Sequence, residues 1–108
     1  MIRVTIFLSI VFLPYLVNAS NKSLSNDLAL EAIEISEKDI DSAIFLIQQS
    51  VVADPKNAKA WAIAGKIYLL SEDLPSAERF YNKAKALGPL LKDVKDLESL
   101  INNKKKEE

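Results

Sequence analysis

Residues 58–91 read AKAWAIAGKIYLLSEDLPSAERFYNKAKALGPLL, two apolar patterns of helical period separated by a short polar turn. Gly65 lies in the middle of the first pattern, where glycine costs about 1 kcal/mol relative to alanine. Trp61, Gly65 and Tyr68 have the spacing i, i+4, i+7, so they share one face of the helix. We expect these two rings and Phe80 to fill the core beside the glycine, and not to form a ligand-stacking box.

The second pattern supplies a surface that can meet this glycine. Ala77, Tyr81 and Ala84 share a face with the same i, i+4, i+7 spacing. Small residues let two helix axes approach to the short end of the usual range of about 8–10 Å. We therefore interpret Gly65 as a point of close contact between two helices, and not as a flexible hinge.

Capping and turn signals divide residues 23–103, in which apolar residues recur at helical spacing, into five predicted helices. The last four helices are expected at 40–53 after the N-cap Asp39, at 58–70 after the N-cap Asn57, from the turn at 72–75 to Leu87, and at Leu90–Ile101. Pro75 suits a first helical position, and Gly88-Pro89 is a stop signal. The chain is predicted to be all-α.

The same punctuation recurs after 34 residues. The matched pairs include Asp39 with Asp73, Ala43 with Ala77, Leu46 with Phe80, Ser50 with Ala84, and Pro55 with Pro89. Both loop positions and apolar positions coincide, which unrelated amphipathic helices would seldom show. A period of this length indicates a helical repeat.

Residues 58–91 resemble a tetratricopeptide repeat (TPR), whose pattern is W-x₂-L-G-x₂-Y, then A-x₃-F, then P. The matching residues are Trp61, Ala64, Gly65, Tyr68, Ala77, Tyr81, Ala84 and Pro89. The resemblance implies antiparallel helix pairs of a short TPR-like α-solenoid, with about two repeats. Its expected divisions are a linker at 20–23, a degenerate repeat at 24–57, the repeat at 58–91, a C-terminal capping helix at 92–103, and a disordered charged tail at 104–108.

The degenerate repeat departs from the pattern in its first helix. Asp27, Glu31 and Glu34 stand where the second repeat has Trp61, Gly65 and Tyr68. A first repeat has no helix in front of it, so one polar face is acceptable. Glu31 falls where the two helices should approach closely. Either the first helix is rotated or splayed, or Glu31 extends outward to solvent.

Residues 1–19 have the layout of a secretory signal peptide. Arg3 precedes an apolar stretch, 4–17, which is interrupted only by Thr5, Ser9 and Pro14 and is followed by the small residues Ala19 and Ser20. The stretch is shorter than the roughly 20 residues of a membrane-spanning helix. We expect an exported protein, periplasmic or secreted. The alternative is a signal anchor that tethers the chain to a membrane through residues 4–17.

Composition excludes several classes of function. The chain contains no Cys and no His, and its 14 basic and 15 acidic residues nearly balance. There is no electrostatic case for binding nucleic acid. No acid, base and nucleophile combination is evident, so we expect neither an enzyme nor a small-molecule substrate, cofactor or metal.

The resemblance implies a protein–protein interaction module, an adaptor or assembly factor that binds a partner peptide or helix in its concave face. By position, that face would present Ser25, Leu28, Ala32, Ile35, Lys59, Ala62, Lys66 and Leu69. The basic, Asn-bearing clamp with which some family members hold a terminal carboxylate has no counterpart here. The alternative is a self-associating module that completes its short array by homo-oligomerisation.

Overall fold

The computed structural model describes residues 20–108, which form five α-helices and no strand. The helices are α1 Lys22–Ile35, α2 Ile40–Ala53, α3 Ala58–Leu70, α4 Leu74–Leu87 and α5 Lys92–Glu107. The predicted all-α class is confirmed. The predicted signal peptide, 1–19, lies outside the described residues. Within 20–108, no helix combines the length and the apolar character needed to cross a membrane.

Aspartate caps set two of the helix starts. The Asp39 carboxylate accepts a hydrogen bond from the Ser42 N–H at 3.1 Å, and the Asp73 carboxylate accepts one from the Ser76 N–H at 3.1 Å. Each bond satisfies a backbone donor that the first helical turn leaves free. The predicted bounds 40–53 are confirmed, and α4 starts one residue before Pro75.

Asn57 precedes α3 as predicted, but its side chain makes no cap hydrogen bond. Its Nδ2 donates instead to Ser25 Oγ at 3.0 Å and to Asn26 Oδ1 at 2.8 Å. Ser25 Oγ in turn donates to the Ser50 carbonyl at 2.8 Å. These buried bonds tie the start of α3 to α1 and α2.

The helices pack as two antiparallel pairs with α5 added at the end. α1 packs on α2, and α3 packs on α4, while α3 also contacts α1, α2 and α5. The Asn21 N–H donates to the Ala53 carbonyl at 2.8 Å, which places the start of α1 beside the end of α2. α3 is therefore the central element of the described domain.

Gly65 lies at a crowded helix crossing, as its spacing predicted. A Cβ atom added there would lie 3.3 Å from the Ala77 carbonyl oxygen of α4 and 2.5 Å from Cδ2 of Leu97. Gly65 and Ala77 are both buried, and Leu97 is only 1% exposed. The glycine therefore admits α5 as well as α4, and the contact with Leu97 was not foreseen from the sequence.

α1 does not follow the 34-residue period. Its buried row is Ser25, Ala29 and Ala32, which has the motif spacing but precedes Trp61, Gly65 and Tyr68 by 36 residues. The loop between α1 and α2 has four residues, 36–39, whereas three residues, 71–73, join α3 to α4. Of the two alternatives for Glu31, the structure shows the rotated helix, because Glu31 lies on the exposed side of α1.

The structure corrects the predicted end of the domain. α5 starts at Lys92, which agrees with the predicted capping helix 92–103 and not with a start at Leu90. It continues to Glu107, so residues 104–107 are helical and not a disordered tail. Lys104 Nζ lies 3.1 Å from Glu72, and Lys105 Nζ lies 3.3 Å from Glu78. These ion pairs, and the attraction of lysines to the negative end of a helix dipole, favour the extra turns.

Candidate interaction surfaces

An apolar groove of about 390 Å³ lies between α1 and α2. Its lining residues are Leu24, Leu28, Phe45, Gln48, Gln49, Val52 and Ala53. Phe45 is 60% exposed and Val52 is 77% exposed, so two large apolar side chains stand in solvent. Contiguous exposed apolar patches, when they are large, often mark binding sites.

Helical spacing explains how the groove forms. On α2, Ala43, Ile47 and Ser50 are buried against α1 and α3, and Phe45 and Val52 project from a different face. On α1, Leu24 and Leu28 are one turn apart and lie along the same groove. No other part of residues 20–108 covers this apolar strip. The spacing of Phe45 and Val52 could have indicated the groove from the sequence.

The residues predicted for the first helix of the concave face occupy different places. Leu28 is half-buried and lines the apolar groove beside α2. Ala32 is 0% exposed, and Ile35 packs against the core formed by α1, α2 and α3. The rotation of α1 moves Leu28 away from the face of α3, so only Leu28 contributes to an open apolar surface.

The residues predicted on α3 lie on two further surfaces. Lys59 lines a cavity at the start of α3, next to Lys22 and Lys56. Lys66 and Leu69 border the crevice between α3 and α5, while Ala62 is 2% exposed beneath α5. The structure therefore does not unite the predicted concave-face residues in one continuous groove, because α1 is rotated and α5 lies along α3.

The aromatic residues of the repeat form a stack within the packing of α3 and α4. The ring centroids of Trp61 and Phe80 are 5.5 Å apart, and those of Tyr68 and Phe80 are 4.9 Å apart. Trp61 Nε1 donates to the Pro55 carbonyl at 2.7 Å. The three rings are partly buried and pack against the two core clusters. Of the remaining motif residues, Ala84 is buried, Tyr81 is half-buried and Pro89 is exposed in the turn before α5.

Tyr81 joins α4 to α5 through a hydrogen bond that its hydroxyl donates to the Glu98 carboxylate. This bond, with smaller effects of burial and of the negative charge of Glu98, raises the pKa of Tyr81 to about 12. The Tyr81 hydroxyl therefore links the two helices through its hydrogen bond to Glu98. Across the described helices, no three acidic side chains converge as a metal site would require.

We compared the chain with protein-family models, curated proteins and solved structures. None of them matches. The function is therefore argued from the surfaces of the chain, and the apolar groove between α1 and α2 is the strongest of them.

Proposed function

We propose that the chain is an exported, TPR-like protein–protein interaction module, an adaptor or assembly factor that binds a helix of a partner protein. The proposal of TPR-like packing is supported by the close contact at Gly65 and by the buried pairs that the 34-residue period matches. These pairs are Ala43 with Ala77 and Ser50 with Ala84, all at 0% exposure. Export is proposed from the layout of residues 1–19.

The observation that carries the binding proposal is the apolar groove. Its floor runs along the line between two antiparallel helices, and its rim carries Phe45 and Val52. Only the uncharged amides of Gln48 and Gln49 interrupt the apolar lining. An amphipathic helix that places apolar residues at i, i+3, i+4 and i+7 would fill such a groove. We therefore assign the groove to the apolar face of a partner helix.

A second copy of the chain is the other candidate occupant, because a dimer in which the two grooves face each other would cover Phe45 and Val52. Light scattering on the full chain in a neutral detergent separates the two candidates. A monomer at tens of micromolar supports the partner-helix proposal. An oligomer that Phe45→Glu converts to a monomer would replace it with self-association.

The groove itself is tested by site-specific photo-crosslinking in cells that express the full chain. A photoreactive phenylalanine analogue at position 45 is expected to give a discrete adduct, whose partner is identified and then purified. Leu28→Glu should weaken binding of the purified partner by roughly tenfold or more, because it places a charge among buried apolar groups.

Leu30→Glu is the matched control, since Leu30 lies on the same helix, is 45% exposed, and does not line the groove. This variant should bind like the parent. Equal losses for the two glutamate variants, or an adduct that forms as readily from position 30 as from position 45, would reject the groove as the binding site.

A further inference from the structure

Three separate segments of the chain meet at one edge of the domain. Residues 20–26, 50–60 and 83–92 contain the starts of α1, α3 and α5 and the ends of α2 and α4. The Asn21 N–H donates to the Ala53 carbonyl, and the Asn57 side chain donates to Asn26. A cavity of about 530 Å³ at this edge is lined from all three segments. We call these three segments the basic edge.

The charge of the basic edge is opposite to that of the rest of the domain. The edge carries six lysines and one acidic residue, Asp54, which is 7% exposed. The lysines are Lys22, Lys56, Lys59, Lys83, Lys85 and Lys92. The remaining residues from 20 to 108 carry 14 acidic and seven basic side chains. A nearly neutral chain therefore presents one strongly positive edge.

Five of the six lysines form no ion pair with an acidic residue from 20 to 108, and three of these five line the cavity. Lys22, Lys56 and Lys59 line the cavity together, no carboxylate belongs to its lining, and none of the three forms an ion pair with any residue from 20 to 108. Lys92 differs, because its Nζ lies 2.8 Å from Asp96. No carboxylate from residues 20–108 therefore lies within 4 Å of the three ammonium groups at the cavity.

Exposed apolar side chains are concentrated at the same edge. Five of the nine large exposed apolar residues in the described chain belong to it, namely Leu24, Val52, Leu87, Leu90 and Leu91. Leu90 is 83% exposed and lies in the turn between α4 and α5. Lysines interspersed with exposed leucines are typical of surfaces that lie in the interfacial region of a membrane.

The position of the edge in the chain points to the same ligand. The apolar stretch 4–17 ends four residues before Asn21, which is held at the basic edge by its bond to Ala53. Any membrane contact made by this stretch would bring the basic edge to the lipid surface.

We infer that the basic edge docks on an anionic membrane surface. Lys22, Lys56 and Lys59 face the lipid phosphates, and Leu90 enters the interfacial layer. Each lysine close to an anionic membrane surface raises the partition coefficient of a protein onto that membrane by roughly fivefold. An acidic partner protein would satisfy the lysines alone, whereas a membrane accounts for the lysines, the exposed leucines and the adjoining apolar stretch. The three lysines and Leu90 do not line the apolar groove, whereas Leu24 and Val52 belong to both surfaces.

Fluorescence of the full chain in vesicles tests the inference. The chain has no native cysteine, so Leu90→Cys can be labelled selectively with an environment-sensitive dye. The control is Leu70→Cys, which is 49% exposed at the end of α3, on the opposite edge. In vesicles that contain phosphatidylglycerol, the dye at position 90 should shift to the blue and be quenched by a lipid-attached quencher. The dye at position 70 should show neither change, and phosphatidylcholine alone should give a weaker response at position 90.

Variants in which lysines are replaced by uncharged glutamine then test whether the cavity lysines cause the lipid response. Changing Lys22, Lys56 and Lys59 to Gln together should raise the anionic lipid content needed for the response by roughly tenfold or more. The matched control changes Lys38, Lys66 and Lys106 to Gln, which removes the same charge from exposed positions outside the edge. The inference is overturned if the two triple variants behave alike, if phosphatidylcholine suffices, or if position 70 responds as strongly as position 90.

Leu28→Glu should leave the lipid response unchanged, so failure of this inference and failure of the proposed function are distinguishable.

Discussion

Gly65 shows how one residue serves three helices. Its own helix loses about 1 kcal/mol by accepting glycine in place of alanine. In return, the Ala77 carbonyl of α4 and the Leu97 side chain of α5 both reach the bare Cα. Leu97 is fully buried, so its methyl groups have little room to move away. A side chain at position 65 would therefore disturb the packing of α5 as well as that of α4.

We predict that Gly65→Leu lowers the free energy of unfolding by about 2–3 kcal/mol, because overpacking forces Leu97 and α4 outward. Urea denaturation followed by circular dichroism measures the change. Lys66→Leu is the control, since Lys66 is exposed on the same helix, and it should change the stability by less than about 0.5 kcal/mol.

Repeating Gly65→Leu in a protein that also carries Leu97→Ala tests whether Leu97 is the side chain that clashes with position 65. Leu97→Ala alone should cost about 2–5 kcal/mol by leaving a cavity. In that background the penalty of Gly65→Leu should shrink, because the nearest methyl group is gone and the two positions share one space. Equal penalties in both backgrounds would show that Leu97 does not press on position 65.

Asn57 illustrates a different exchange at the residue scale. A side-chain cap at this position typically contributes about 1 kcal/mol to a helix. Here the amide instead donates two hydrogen bonds to α1, one to Ser25 Oγ and one to Asn26 Oδ1. Bonds between side chains from different helices hold α3 against α1, which a local cap cannot do. Asn57 therefore occupies an N-cap position, but its side chain stabilises the contact between two helices instead of capping its own helix.

At the scale of the elements, the sequence predicted helix ends better than helix orientation. Asp39 and Asp73 mark starts by chemistry that acts within one turn, so local reading suffices. The rotation of α1 depends on one extra loop residue and on packing with α2, neither of which a repeat pattern reveals. For the same reason, only Leu28 of the predicted concave strip reached an open apolar surface. The helix continues through Glu107, where Lys104 meets Glu72, a residue distant in sequence that a local pattern does not reveal.

The caps of α2 and α4 should give the domain a measurable pH dependence. The Ser42 and Ser76 hydroxyls and backbone N–H groups hold the pKa values of Asp39 and Asp73 below the ordinary value of 3.8. Because the folded pKa values are depressed, the caps stabilise the domain above that value, and their contribution is lost as the pH falls through the lowered folded pKa values.

The test compares melting temperatures of the parent with those of the Asp39→Asn, Asp73→Asn double variant. Asparagine also caps helices but does not titrate in this range. The parent should lose stability relative to the variant as the pH falls below about 4. If the melting temperatures of the two proteins change with pH by the same amount, the two carboxylates do not titrate as the cap geometry requires.

At the scale of the whole molecule, the antiparallel packing of the helices brings basic residues together at one edge of the domain. Alternating helices bring the starts of α1, α3 and α5 together with the ends of α2 and α4, and the lysines are concentrated in those terminal segments. Along the sequence the same lysines are dispersed among acidic residues. A molecule with a formal net charge of only −1 can therefore have a positive edge and a negative remainder.

This separation makes a prediction that needs no lipid. At pH 7 and low ionic strength, the full chain in a neutral detergent should be retained on a cation exchanger, although its net charge is negative. The exchanger binds a protein through the electric field of its positive patch. Salt should weaken the retention, because at 0.1 M ionic strength this field is screened beyond about 10 Å. Changing Lys22, Lys56 and Lys59 to Gln should abolish the retention, whereas the same change at Lys38, Lys66 and Lys106 should shift the elution only slightly. Both triple variants have the same net charge, so identical elution of the two would mean that the lysines act through the total charge and that no distinct basic edge exists in solution.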